Sequence, residues 1–380
     1  MPHIGLNAHL LSSQAGYRAA GIHNVIHRLL LHLPQVAPEG WRFTAMVGRE
    51  VRAAYPAVQM RRSRLNTERP LQRILWEQAV QPWQLHEFDL LHATAFVSPL
   101  LSRKPTVVTV YDLSFLRYPR YLPAARRLYL RLLTALSCQR ARRVTVISQS
   151  TANDLTALLG IPADKIDVTL LGYDHELHYP RTTAEVAAFR ARKGLPERFW
   201  LFIGTIEPRK NLPLLLDAYA ALPRAERLPL LLGGGRGWGQ AEVEAKIAHH
   251  GLAGDVHLIG FVPVEELPLW YNAAEVFVYP SVFEGFGLPV LEAMACGIPV
   301  LTSNVSSLPE VAQDVGLCLP PHDRAAWAEG LRRAHHDAEW RAQARERGLA
   351  AARRFTWEQT ALDTLHSYQK ALQTVPPRNP

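Results

Sequence analysis

The same alternation of short apolar runs and helical-period segments is written into this chain twice, and that constrains the fold more than any other feature. In the first half, β-rich runs fall at 3–7, 41–47, 89–92, 106–111, 143–148 and 168–171. Between them, 22–33 places Val25, Ile26, Leu29, Leu30 and Leu33 on one helical face, and 148–159 reads as another helix. Residues 172–198 are polar and Pro-containing, suited to an interdomain link. The pattern then restarts. Strands are predicted at 199–204, 228–233, 256–260, 276–279 and 299–303, with helices at 211–222, 241–249, 265–274 and 289–296. The last ~60 residues read as helical. Alternating strands and helices argue for parallel sheets covered on both faces. Two such runs predict an α/β chain of two doubly wound domains facing a central cleft. Ligands of such sheets lie at the carboxyl ends of the strands, so the site is expected in that cleft.

The 380 residues, 48% apolar and 20% charged, exclude a disordered or collagen-like chain. No apolar run approaches the ~20 residues of a membrane span, and the N-terminus has no charged-then-apolar leader. Cys138, Cys296 and Cys318 are far apart and form no C-x-x-C pair, which predicts a reducing, cytoplasmic setting. The net charge is +8, and only six of the 42 cations are lysines. Arg61, Arg62, Arg64, Arg69 and Arg73 form one cluster. Arg117, Arg120, Arg126, Arg127, Arg131, Arg140, Arg142 and Arg143 form another. Within the second, Ala125, Leu128, Tyr129, Leu132, Leu133 and Leu136 follow helical spacing. Two readings are open. The helix packs its apolar stripe on its own core, or it contacts an anionic membrane or phosphorylated acceptor. No nucleic-acid-binding motif accompanies the charge, so no nucleic-acid partner is expected.

Residues 279–303, YPSVFEGFGLPVLEAMACGIPVLTS, read strand, loop, helix, turn, strand. Pro289 suits a first helical turn, and Gly297 the left-handed cap that closes it. Gly285 and Gly287 bare the backbone N–H groups before the helix, an opening for an anion. Glu284 and Glu292 flank this loop, and carboxylates accept strong hydrogen bonds from sugar hydroxyls. A capping carboxylate is the simpler reading of Glu292 taken alone. In 199–216, FWLFIGTIEPRKNLPLLL, a buried strand ends at Gly204. Arg209 and Lys210 then precede Asn211, a residue able to N-cap the next helix. Two cations beside a helix start suit a diphosphate. Without any D-x-D pair, the combination fits a nucleotide-diphospho-sugar whose leaving group is neutralised by side chains and dipoles instead of a metal.

The stretch EGFGLPVLE, 284–292, resembles the E-x7-E motif of glycosyltransferase family 4, retaining transferases of the GT-B fold. GTIEPRKNL from Gly204 and SNVSSLPEVA from Ser303 resemble segments of its mannosyltransferase-like members. IGLNAHLL, AGIHN, TVYDLSFLRYP and RRFTWEQTA extend the resemblance over nearly the whole chain. It implies an N-terminal acceptor domain at 1–172, a donor domain at 173–357, and a closing helix at about 358–380 that returns to the first domain. It implies that Glu292 binds the ribose and that Glu284 contacts the transferred sugar. The amides of Gly285, Phe286, Gly287 and Leu288 would approach sugar and phosphate. Arg209 and Lys210 would hold the diphosphate, with Gly204 and Thr205 in the same loop. Gly21 would let the first domain's loop close, and Gly260, Phe261, Val262 and Pro263 would receive the base. Glu284, Arg209 and Lys210 are thus the expected catalytic residues, with no cofactor and no metal.

Two departures stand out. The family commonly has His-Asp where this chain has Tyr111-Asp112, and many relatives have arginine where Thr205 stands. Tyr111, Asp112 and His23 are candidate sugar or acceptor contacts, while His9 and His92 read as structural. Acceptor specificity is expected in loops at 12–21 and 56–72. The GTIEPRKN variant points to GDP-mannose as donor and a glycan or lipid-linked glycan as acceptor, with peripheral contact to an anionic inner membrane face. A UDP-sugar transferase, a same-fold epimerase or phosphorylase, and a non-catalytic nucleotide or glycan binder are the alternatives.

Overall fold

The computed structural model describes residues 1–11, 21–119, 123–312 and 314–373. Two compact units are present, Met1–Gly172 with Thr356–Pro380, and Tyr173–Phe355. The first unit holds a seven-stranded, all-parallel sheet ordered β3-β2-β1-β4-β5-β6-β7. Its strands are β1 (His3–Asn7), β2 (Arg42–Val47), β3 (Val58–Arg62), β4 (Leu90–Ala93), β5 (Thr106–Val110), β6 (Arg143–Val146) and β7 (Ile166–Val168). β1, β4 and β5 are buried along their whole length, as strands covered on both faces must be.

The second sheet is ordered β10-β9-β8-β11-β12-β13, again all parallel. It comprises β8 (Trp200–Ile203), β9 (Leu230–Gly233), β10 (Val256–Gly260), β11 (Val276–Tyr279), β12 (Val300–Ser303) and β13 (Leu317–Leu319). Strand order reverses between β1 and β4 in the first unit and between β8 and β11 in the second. In such sheets the crevice at the carboxyl ends of those two strands is where ligands bind. The loops leaving β8 and β11 are the two chemistry-bearing stretches of the sequence.

The chain returns to the first unit at Thr356. A Cβ on Gly172 would overlap the backbone nitrogen of Trp357, so this crossing admits only glycine. The helix Trp357–Gln373 is tied down by buried polar bonds. Tyr368 Oη lies 2.6 Å from His92 Nδ1, and the Thr360 hydroxyl donates to the Leu170 carbonyl at 2.7 Å. Ser367 and Lys370 both reach Asp167, which also pairs with Arg143.

Four local readings are corrected. Residues 172–198 are not plain linker: Thr183–Lys193 is a helix with a complete capping box, the Thr182 hydroxyl accepting from the Glu185 N–H and the Glu185 carboxylate from the Thr182 N–H. Residues 56–72 are not all loop, since β3 and the start of helix Pro70–Leu75 fall inside them. β13 went unread because a three-residue edge strand has too little pattern to detect. The helix Ala124–Arg140 buries Thr134, Ser137 and Cys138, and leaves Leu128, Leu132 and Leu136 exposed. Its leucine stripe therefore does not pack on the core.

Candidate functional site

The loops after β8 and β11 are stitched together by the backbone of Arg209. Its carbonyl accepts from the Val282 N–H at 2.8 Å, and Ser281 Oγ lies 3.0 Å from it. Pro208–Lys210 is a single tight turn, and Asn211 follows in the left-handed conformation at φ 57°. Asn211 does not cap the helix Leu212–Ala220 with its side chain. The amide instead donates to the Pro321 carbonyl at 2.7 Å, because a left-handed backbone turns it away from the helix N–H groups.

This stitching buries Lys210 and sets it against Glu284. Lys210 Nζ donates to Glu284 Oε1 at 2.6 Å and also contacts the Tyr279 hydroxyl. Ser281 Oγ and Tyr279 Oη donate to the same oxygen at 2.6 and 3.1 Å. Arg209 Nη1 takes Glu284 Oε2 at 2.8 Å, and its Nε takes Glu207 at 3.0 Å. Burial alone would raise the Glu284 carboxyl. Arg209 and Lys210, with the Lys210 and Ser281 hydrogen bonds, reverse that and hold it at about 2. Burial outweighs Glu284 at Lys210 and brings the ammonium down to about 8. Arg209 is raised by Glu284 and its neighbours despite burial. Lys210 is thus enclosed and Arg209 half-buried, both fixed by Glu284. In the structure this carboxylate fixes the two cations, Oε1 taking three donors and Oε2 taking Arg209.

The helix Leu288–Ala295 begins just past Glu284 with Gly287 at φ 107° and no side-chain cap. Pro289 has no N–H and the Val290 N–H donates to the Gly287 carbonyl at 2.9 Å, so an anion here would be met by the amides of the approach at 285–288. The approach is held from below, where the Glu284 carbonyl accepts from Ser306 Oγ and from Ser307 Oγ at 2.9 Å. Phe286 is buried and packs edge-on against Phe355, so only its backbone can serve a ligand. Gly285 and Leu288 remain partly accessible on either side. One turn into the helix, Glu292 Oε2 accepts from the Tyr271 hydroxyl at 3.1 Å, and His178 Nε2 lies 3.9 Å away. Burial raises the Glu292 carboxyl, with His178 and Tyr271 working against it. Gly297 closes the helix at φ 76°, in the left-handed cap.

In the first unit, Gly21 has φ 66° and starts the helix Ile22–Val36. His23 stacks on His27 at 6.3 Å, and burial lowers its imidazole. Residues 12–20 of the preceding loop lie outside the described residues. Tyr111 is not placed to meet a sugar: its buried hydroxyl donates to the Thr94 carbonyl at 2.9 Å. Asp112 Oδ1 accepts from the Ser114 N–H at 2.9 Å, a local turn bond. His92 bridges Tyr368 and Thr109 and is structural. His9 is different, because both ring nitrogens are buried just past the end of β1 without a partner among the described residues. Glu77, bonded to Asn7 at 3.3 Å, is raised by burial to about 7.

Residues 185–351 match the family described as Glycosyl transferases group 1, and residues 19–177 match Glycosyltransferase Family 4. O-antigen chain mannosyltransferase B of Escherichia coli is 38% identical over 295 residues, which cover 76% of this chain and 77% of that protein. The chain belongs to glycosyltransferase family 4. Serotype-specific mannosyltransferase WbdA of Escherichia coli is 32% identical over 277 residues; the match takes 71% of this chain but only 34% of WbdA. Among solved structures, sucrose-phosphate synthase of Thermosynechococcus elongatus superposes with a TM-score of 0.78 at 24% identity, covering 97% and 99% of the two chains. The fold of the transferase is therefore GT-B, and the protein is a glycosyltransferase.

Three parts of the transferase's site escaped sequence reasoning. Tyr279, Tyr271 and Ser281 bond the motif carboxylates, yet each reads as an ordinary strand, helix or loop residue. His178 sits in the stretch taken for linker. The loop 233–239, GGGRGWG, did carry a signal. Side chains at Gly234 and Gly237 would overlap the carbonyls of Gly204 and Ile206, so these glycines let the loop after β9 press against the cation-bearing loop. Thr205 lies in that contact, its methyl close to Gly237. Next to it, Gly260 has φ 75°, Phe261 is 58% exposed and Val262 is buried. The exposed ring of Phe261 offers a face beside backbone polar groups.

Proposed function

We propose that the transferase moves a mannosyl group from GDP-mannose to a glycan or lipid-linked glycan, with retention and without a metal. One observation carries this reading: a buried Lys210 and a half-buried Arg209, both locked by Glu284, beside the start of Leu288–Ala295, which no side chain caps. The printed names of the two Escherichia coli relatives favour mannose. Lys210, Arg209 and the amides at 285–288 neutralise the charge that builds on the departing diphosphate. Because Glu284 already holds the cations in place, little reorganisation is needed when that charge develops. Retention follows a front-face path in which the leaving phosphate takes the acceptor's proton. Glu292 takes the ribose hydroxyls, and Gly260, Phe261 and Val262 take the base. His9 and Asn7, whose ring nitrogens and Oδ1 are buried without a partner among the described residues, serve hydroxyls of the acceptor together with Glu77. The protein works at an anionic membrane face on the cytoplasmic side.

A thermal-shift panel of GDP, UDP, ADP and CDP, each with and without its sugars in EDTA, tests the donor. A nucleotide at ~100 Kd stabilises the fold by ~2.7 kcal/mol. A shift confined to GDP and GDP-mannose supports the reading. A shift with UDP keeps the family and discards the donor. No shift with any nucleotide refutes it.

A further inference from the structure

His178 stands in the polar stretch 172–198, yet it is only 3% exposed. The turn that carries it closes on Asp174. The Asp174 carbonyl accepts from the His178 N–H at 2.8 Å, and Asp174 Oδ1 accepts from the N–H groups of Glu176 and Leu177 at 3.2 and 3.3 Å. Just past the turn, Asn272 fastens the chain to the helix Leu267–Ala273 of the same unit. Its Nδ2 donates to the Tyr179 carbonyl at 3.1 Å, and its Oδ1 accepts from the Arg181 N–H at 2.8 Å. Tyr271 precedes Asn272 on that helix. Its ring meets Phe277 edge-on at 5.3 Å and lies tilted against His178 at 6.2 Å. One clamp therefore sets Tyr271 and His178 together, and both face Glu292 Oε2, at 3.1 and 3.9 Å.

The two imidazole nitrogens have different surroundings. Nδ1 lies 3.3 Å from the Asp174 carbonyl, and a nitrogen that faces a carbonyl carries the proton. Nε2 is buried on the Glu292 side with no hydrogen-bond partner among the described residues. A ring that only filled this space would desolvate that nitrogen for no return, since a phenyl ring would fill it without the cost. Glu292 is asymmetric too. Oε2 has Tyr271 and His178, whereas Oε1 takes no donor among the described residues and the side chain is 20% exposed. Oε1 is thus the oxygen left for a ligand. A carboxylate accepts most strongly from a hydroxyl while it is ionised and held in one orientation. Burial works against its ionisation, and His178 and Tyr271 work against burial. The Tyr271 phenol, raised by burial, keeps its proton and donates to Oε2.

We propose that His178 is a positioning residue for the donor: with Tyr271 it holds Glu292 Oε2 so that Oε1 is presented to a ribose hydroxyl of the nucleotide. The inference rests on the ribose role given to Glu292 above and adds what orients that carboxylate. The test is calorimetric titration of the full chain with GDP and with its dideoxy analogue, which lacks both ribose hydroxyls. The uridine pair is titrated alongside, so that a different base leaves the comparison intact. The wild type binds the complete nucleotide on the order of tenfold more tightly than the dideoxy one, the scale of a hydrogen bond to a charged acceptor. Glu292→Gln brings the two within about threefold on that scale. His178→Phe, which keeps a ring, and His178→Asn, which keeps only the place of Nδ1, do the same while binding the dideoxy nucleotide as the wild type does. His178→Gln, able to donate from near the place of Nε2, retains the preference. Equal weakening of both nucleotides in the Phe and Asn variants marks a ring that only packs, and overturns the positioning role. A full wild-type preference in those variants overturns it as well, and loss of the preference in Glu292→Gln then leaves the ribose reading standing. If the wild type itself does not tell the two nucleotides apart, the ribose role of Glu292 falls and the inference falls with it.

Discussion

Glu284 shows how a motif residue can be found by spacing yet be given its task by packing. Four donors from three loops and strands converge on its two oxygens. Glu284→Gln keeps the shape but removes the charge that orders Arg209 and Lys210. We expect kcat/KM to fall by about 10²-fold or more, the scale of losing a preorganised electrostatic contact, with GDP affinity nearly unchanged. Titration of GDP binding beside steady-state turnover separates the two; an equal loss in both would contradict the positioning role. Lys210 predicts a second result. Its ammonium, lowered to about 8, is charged at neutral pH and discharges above that value. The kcat/KM profile should therefore have an alkaline limb near pH 8, and Lys210→Arg, which stays charged, should move that limb upward.

Single elements differed in how far they could be read. The helix Ile22–Val36 was legible because its five core residues sit on one face, all of them buried in the structure. The helix Ala124–Arg140 has equally clear periodicity but the opposite outcome, since apolar spacing reports a stripe and not what the stripe meets. Its neighbours in the fold take the Thr134–Ser137–Cys138 side instead. The helix Trp357–Gln373 depends on a buried bond across 276 residues, from Tyr368 to His92. Tyr368→Phe leaves His92 Nδ1 buried without a partner, which costs about 1–3 kcal/mol. Urea denaturation with an unchanged m value checks this.

At the scale of the molecule, charge state sets the acid limit of stability. His92 and His9 are lowered by burial to about 3, from 6.5. At these two residues the unfolded chain binds more protons between pH 6.5 and 3, which lowers stability as pH drops and outweighs the opposite contribution of Glu77, held at about 7. Glu284, depressed from 4.5 to about 2, adds a further loss below 4.5. Urea midpoints at pH 7, 5.5 and 4.5 should fall in that order; a flat response would contradict the buried, neutral histidines.

The sequence alone determined the two α/β sheets, the strand-loop-helix at 279–303 and the loop after β8 that carries Arg209 and Lys210. These depend on local periodicity and on glycines and prolines whose backbone demands are intrinsic to the residue. Tertiary structure decided the rest. It bound Glu284 to Arg209 and Lys210, brought Tyr271 and His178 to Glu292, and pressed the loop 233–239 onto Gly204. It also spent the Tyr111 hydroxyl on Thr94 and turned three leucines outward. The reason is physical: a side chain's partner is set by which strands lie side by side, and strand order is a long-range property that no window of sequence contains.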